Sequence, residues 1–261
     1  MRLVMLVVFL AFSLTAAAAP DDDRVSASGA RALYQAGDWR GAEQRAASAS
    51  DAASKTLAAQ AVLARLMAGE LADEPRGDKR AAARRAQSHA RSALNMDPDY
   101  APAHLRLAAA IGYEARYRSS ISAAMARLPQ RGRSHIETAL ALDPSDPWAH
   151  AMLGAWHLEV ARQGGEGMFG ADIETGLAAY RRAVAMDGSQ PAIPYHFALA
   201  LIAADPNAHG EEALSLLNQA LGLPADTAFD EAAHDLAVSL KAALEADPEQ
   251  AQTLAITRLE Q

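Results

Sequence analysis

Along most of this chain, small and apolar residues return at intervals of three and four positions. Each run closes on an aspartate followed by proline or glycine. Three stretches align without gaps: AQSHARSALNMDP (86–98), GRSHIETALALDP (132–144) and GLAAYRRAVAMDG (176–188). The spacing puts Gly132, Ile136 and Ala139 on one face of a helix. A weaker fourth copy, EEALSLLNQALGLP (211–224), carries Ala213, Leu217 and Ala220 in the same phase. After each breaker a second helical pattern begins: YAPAHLRLAAAIGY, DPWAHAMLGAWHLEV and PAIPYHFALALIA. In these, Leu107-Ala108, Leu153-Gly154 and Phe197-Ala198 occupy matching places, and their small members let one helix lie close on another. The pattern predicts a series of helical hairpins.

The junctions follow the same logic. In TALALDPSDPWAHAMLGAW (138–156), proline suits the first turn of a helix but not its interior. Asp143 precedes Pro144 and is biased away from helical backbone, and Asp146 is placed to cap the next helix. The stretch therefore reads as a joint between helices, in preference to an acid–base pair of Asp143 with His150.

With these hairpins the chain resembles the tetratricopeptide repeat (TPR) family from about residue 29 to 225. Near the start, ALYQAGDWRGAEQRA (32–46) supplies a Gly37-Asp38-Trp39 turn and Ala42, although Ser54 stands where the repeat usually closes on proline. The spacing departs from the usual period of about 34: Ala93, Ala139 and Ala183 are 46 and 44 residues apart, and Ala220 follows after 37. The extra residues fall between the helices of a pair, at 71–80, 117–133 and 163–176. Such lengthened repeats resemble the TPR-like domain of the regulator of microtubule dynamics family and its bacterial relatives. Gly112-Tyr113, Leu142-Asp143-Pro144, the Gly154 helix, Met168-Phe169-Gly170 and Leu223-Pro224 carry that likeness. It implies an all-α, right-handed α-α superhelix of about five helix pairs. The tail from 226 to 261, with Leu236, Leu240 and Leu244 one turn apart, reads as capping helices. In the resembled family the first helix of each pair lines the concave side. By phase that gives a groove of Leu105, Ala109, Tyr113, Trp148, Ala151, Ala155, Leu158, Tyr195, Leu199 and Ile202. An apolar groove of this kind suits an apolar peptide or an acyl chain, unless the stack or its own C-terminal helix fills it.

Composition agrees with this architecture. The chain has 261 residues, 51% hydrophobic and only 5% aromatic, with no cysteine; alanine-rich and poor in β-branched runs, it favours helices. The first residues differ. MRLVMLVVFLAFSLTAAAA joins Arg2, an apolar core and an A-x-A site, which predicts a signal peptide over 1–18 and export to the periplasm; an uncleaved membrane anchor is the alternative. A flexible leader is expected over 19–28.

Charge is uneven under the net −8. Residues 76–133 hold twelve Lys/Arg against four Asp/Glu, and residues 205–261 hold eleven acids against two bases. Arg116, Arg118, Arg127, Arg131 and Arg133 gather on one insertion. They read either as solvated helix faces or as a patch for an anionic lipid headgroup or acidic peptide. Nucleic acid does not suit an acidic chain without interleaved aromatics. Eight histidines are spread among the repeats without HExxH or three converging ligands, so no metal is expected. QGGEGMFG (163–170) lacks the lysine and preceding strand of a phosphate loop; its Met168 and Phe169 either tuck onto the stack or mark a contact surface. No Ser–His–Asp order can be argued, and no cofactor is implied. The residues point to a non-enzymatic scaffold that binds an envelope protein, with an anionic lipid or other hydrophobe in the groove as the alternative.

Overall fold

Aspartate and proline set the joints, as the pattern predicts. In the computed structural model, which describes residues 21–186 and 189–260, five helix pairs follow one another. They are α1 (Asp21–Gln35) with α2 (Trp39–Ser48), α3 (Ala52–Met67) with α4 (Arg76–Met96), and α5 (Ala101–Arg116) with α7 (Leu128–Leu142). The last two are α8 (Pro147–Gly164) with α9 (Ile173–Met186), and α10 (Ala192–Ala204) with α11 (Pro206–Gly222). A short α6 (Ser120–Met125) lies in the insertion between α5 and α7. The chain then continues as α12 (Ala228–Ala246) and α13 (Pro248–Glu260). The run expected to be a signal peptide lies outside the described residues, and among those no helix is long and apolar enough to cross a membrane.

Side chains at the joints satisfy backbone groups that a helix end leaves open. Asp38 accepts from Gly41 N at 2.9 Å, Asp51 from Ser54 N at 2.8 Å and Asp146 from Trp148 N at 2.8 Å. Asp205 both ends α10 in extended backbone and caps α11, accepting from Asn207 N at 2.9 Å and Ala208 N at 3.1 Å. Residues 138–156 are thus a joint. Asp143 accepts from Ser145, while the His150 ring meets the Pro144 carbonyl at 3.0 Å. Residues 21–28, expected as a flexible leader, instead form the first turns of α1. Extending a helix already nucleated by its packed part costs little per residue.

Alanine keeps the pairs close. Ala86, Ala90 and Ala93 of α4, Ala139 of α7, Ala183 of α9 and Ala213 and Ala220 of α11 are buried at equivalent places. The tightest approach joins α8 to α9, where a Cβ on Gly154 would stand 2.5 Å from the Tyr180 ring and 2.9 Å from the Gly176 carbonyl. Tyr180 in turn stacks on Phe197 of α10, with centroids 4.7 Å apart and planes at 8°.

The tail does more than cap the last pair. α12 starts beside the first hairpin, its Ala228 against Gly37, and its Phe229 and Ala232 against the cluster around Tyr34 and Trp39. Phe229 meets the edge of Trp148 on α8 at 6.4 Å. Farther on, Ala237, Leu240 and Leu244 join the core around α10. The helix therefore crosses the inner side of the stack from its first pair to its last. A long apolar groove left open to water would be unfavourable, and the chain covers it with its own helix. Leu240 is 0% exposed, so Leu240→Ala is expected to cost about 3 kcal/mol. The urea midpoint reads this; a cost below about 1 kcal/mol would show α12 loosely seated.

Candidate functional site

What α12 leaves open is a cavity of about 310 Å³ on the inner side. The end of α3 contributes Leu66 to Gly69, followed by Leu71 and Ala72. α4 adds Lys79, α5 adds Tyr113 and Arg116, and α10 adds Tyr195, His196 and Leu199. Leu236 of α12 and Arg258 and Leu259 of α13 close it. Three cationic side chains and no carboxylate line this space.

The cations are held by neutral partners. The Arg116 guanidinium lies 4.7 Å over the Tyr113 ring and bonds its hydroxyl, a cation–π arrangement. Arg258 donates to the Leu236 carbonyl at 2.8 Å and to Ser239 Oγ at 2.7 Å, and bonds the Tyr195 hydroxyl. Lys79 donates to the Ala72 carbonyl at 2.6 Å. The surroundings set the protonation. Burial raises Tyr113 and pushes Tyr195 up to about 12 despite Arg258. Burial, aided by Arg116, pushes His196 down to about 4. The cavity thus carries fixed positive charge beside a neutral imidazole, neutral phenols and leucine walls, which suits an anion with an apolar body.

Of the groove residues read by phase, Tyr113, Tyr195 and Leu199 line this cavity. Leu105 does not. It is 1% exposed and packs with Ala139 and Ala149 between pairs. Its neighbour Arg106 is half-buried near Tyr34, Tyr100 and Asp146, with its Nε unpartnered. Trp148 borders Phe229 and bonds Gln190. Ala155 packs on the C-terminal core, and Leu158 presses on Gly176 of α9. Ala151 and Ile202 are buried in the same core, and Ala109 packs beside Tyr113. Arg106 was within reach of the periodicity, since Pro102, Arg106, Ala109 and Tyr113 fall on one stripe. Arg258 carried no such signal, because only the return of the tail brings it here.

The five arginines of the insertion do not form one patch. Arg116 turns inward, whereas Arg118, in the bend after α5, bonds Glu114 at 2.9 Å and Ser122 Oγ at 3.1 Å. Arg133 pairs with Glu137 at 2.7 Å, stands 5.1 Å from the Trp156 ring and reaches the carbonyls of Phe169 and Gly170. Arg127 and Arg131 stay exposed. Through Arg133 the Met168–Phe169 turn is drawn onto the stack. Phe169 is half-buried at φ 52° and Met168 lies over Gly164 while remaining 44% exposed.

Most histidines serve the hairpins. His104 and His150 use the same contact, Nε2 to the carbonyl of the proline six residues earlier, at 2.9 and 3.0 Å. His104 Nδ1 meets His135 Nδ1 at 3.0 Å, His157 accepts from Asp172 N at 3.0 Å, and His234 meets the Ala220 carbonyl at 2.9 Å. No group of three His, Asp or Glu fit to hold a metal occurs among the described residues. A second, more open hollow of about 600 Å³ beside α2 and α4 contains Glu43. This carboxylate accepts from Arg85 at 2.6 Å and contacts His89 at 3.3 Å, with Arg65 3.9 Å away. It ties three helices together.

Comparison with known proteins places the architecture. The crystal structure of a thermophilic TPR protein from Thermus thermophilus is similar, with a TM-score of 0.62 at 16% identity, over 86% of this chain and all of that one. At that identity the likeness speaks for the fold: an all-α, TPR-like solenoid. No curated protein matches the chain. Residues 29–245 match the family described as regulator of microtubule dynamics protein 1-3, a span that runs from the second half of α1 through the remaining helices of the five pairs and nearly all of α12. The chain belongs to that family.

Proposed function

We propose that this protein is a non-catalytic scaffold of the bacterial periplasm that holds an envelope protein through its inner cavity and the adjoining ends of α3 and α13. The TPR-like fold supports the scaffold, since stacked hairpins of this kind present surface in place of ordered reactive groups. The N-terminal apolar run with its small-residue site supports export. The single observation that directs the partner to this place is the carboxylate-free lining around Arg116 and Arg258, with Leu66, Leu71, Leu199 and Leu259 as walls. An apolar segment bearing a carboxylate, such as a chain terminus, satisfies both features.

The same observation favours a second reading, an anionic amphiphile whose chain lies on the leucines and whose headgroup meets the two guanidiniums. One experiment separates the readings. The purified full chain is examined by native mass spectrometry, and by cross-linking in envelope extract, alongside Arg116→Glu/Arg258→Glu. A stoichiometric protein partner lost in the variant supports the scaffold reading. An anionic lipid carried by the native chain and lost in the variant supports the second. Reversing two contact charges is expected to weaken either complex at least 100-fold. Binding unchanged in the variant would remove the cavity from both.

A further inference from the structure

The insertion between α5 and α7 turns its apolar side outward. Ser119 caps α6 by accepting from Ser122 N at 3.2 Å, and Ala123 anchors the short helix in the stack at 6% exposure. Positions 121 and 125 lie one turn apart on the opposite side. Ile121 is 76% and Met125 82% exposed, the most exposed large hydrophobic side chains among the described residues. A surface helix ordinarily presents its apolar face to the core, so this reversal needs an occupant.

The charge around it says which kind. From 115 to 136 the chain carries five arginines and no acid. Three have an inward or acidic partner, as described above, but Arg127 is exposed on the turn that follows Met125 and Arg131 is exposed near the start of α7. Arg131 is close enough to Arg91 of α4 for the two charges to interact. An apolar projection followed within six residues by two exposed arginines, in a stretch with no acid, complements a soft anionic surface. A peptide partner would instead need a groove to enter, and these two side chains project.

We propose that α6 is a membrane-docking tip, with Ile121 and Met125 entering the interface of an anionic bilayer while Arg127 and Arg131 engage its phosphates. Such an element combines apolar insertion with attraction to acidic lipids and gives reversible association. The assignment stands apart from the occupant of the inner cavity.

The test places an indole at the tip of the full chain through Ile121→Trp and follows the difference in emission against the native protein. Vesicles of mixed phosphatidylglycerol and phosphatidylcholine should shift that emission to the blue, with high salt reversing the shift. Vesicles of phosphatidylcholine alone should leave it unchanged. Adding Arg127→Gln and Arg131→Gln is expected to weaken the vesicle dependence about 25-fold, and Met125→Ser should weaken it further. The N-terminal apolar run is common to every variant, and the indole reports only its own site. Circular dichroism confirms that each variant keeps its helices. An unshifted emission with anionic vesicles would overturn the assignment, as would an equal shift with neutral vesicles. A shift produced by an acidic polypeptide but not by lipid would overturn it in favour of a protein partner.

Discussion

Gly154→Val lowers the stability of this protein by about 4 kcal/mol, near the upper end of what a single substitution does. Helix propensity alone points the other way, since glycine inside a helix is about 1 kcal/mol worse than alanine. The close approach of α8 to α9 decides the sign. The first added carbon would stand 2.5 Å from the Tyr180 ring and 2.9 Å from the Gly176 carbonyl. Tyr180 has no room to retreat, because it is stacked on Phe197. The Gly176 side is closed as well, with His157 and Leu158 against it. Valine adds two methyl groups beyond that first clash. Gly112 on α5 is the control: it is exposed, with nothing within 4 Å of an added Cβ. Gly112→Ala should therefore stabilise by about 0.5–1 kcal/mol. Urea denaturation of the two variants reads both. A Gly154→Val protein as stable as the parent would mean that the two helices do not meet at this distance.

Lowering the pH from 7.5 to 4.5 removes about 4 kcal/mol of stability, through histidines held neutral by the fold. Burial, His104, Arg131 and Arg91 push His135 down to about 4, against an ordinary 6.5. Burial and Arg116 bring His196 to about 4 as well, and burial with Arg133 lowers His157. In each case the unfolded chain binds the proton more readily. The stability is fully present above pH 6.5 and is lost as the pH falls toward 4. Partial contact of the His135 and His196 rings with solvent holds each share to about 2 kcal/mol by pH 4.5. Carboxylates act lower on the scale. Despite burial, their hydrogen bonds and cationic neighbours hold Glu43 and Glu114 below the usual value, so their stabilisation is lost only as the pH falls beneath that range. Urea midpoints at the two pH values measure the effect, and His196→Phe should flatten it. A pH-independent midpoint would show that these rings are not held neutral.

The acid response also touches the inner cavity. His196 shares it with Lys79, Arg116 and Arg258, so protonation would add a fourth charge beside three that already lack a carboxylate in the lining. An anionic occupant would offset that cost and shift the loss of stability to lower pH, by the mass action that links ligand binding to folding.

Much of this architecture was written in local chemistry. The 3–4 spacing of Ala86, Ala90 and Ala93, of Ile136 and Ala139, and of Ala213, Leu217 and Ala220 marked the buried faces. Asp146 marked where a helix begins and Gly37-Asp38-Trp39 marked a turn, and the structure adds Asp51 and Asp205 as caps of the same kind. Both signals act within one or two turns of a helix, and no distant segment has to be known to read them. Gly154 belongs here too, as a small residue in a predicted helical stripe.

The functional site was legible only in fragments, and the reason is distance along the chain. Tyr113, Tyr195 and Leu199 followed from repeat phase. Leu105 was assigned inward because phase alone does not separate adjacent residues on a helix that touches partners on two sides; in the fold it packs against Ala139 and Ala149. The five arginines near 116–133 looked like one patch because they are neighbours in order, yet they are spread over the end of α5, the bend after it, the turn before α7 and the first turns of α7. Glu114 and Glu137 then claimed two of them. The largest difference came from α12. Its apolar stripe was plain, but whether it capped the last pair or lay along the whole inner side depended on the curvature of the stack, which summed small crossing angles over five pairs. Local sequence determined the hairpins and their joints. Tertiary structure alone decided what fills the groove and which charges face the space that remains, because burial of an apolar surface is settled between segments far apart in the chain.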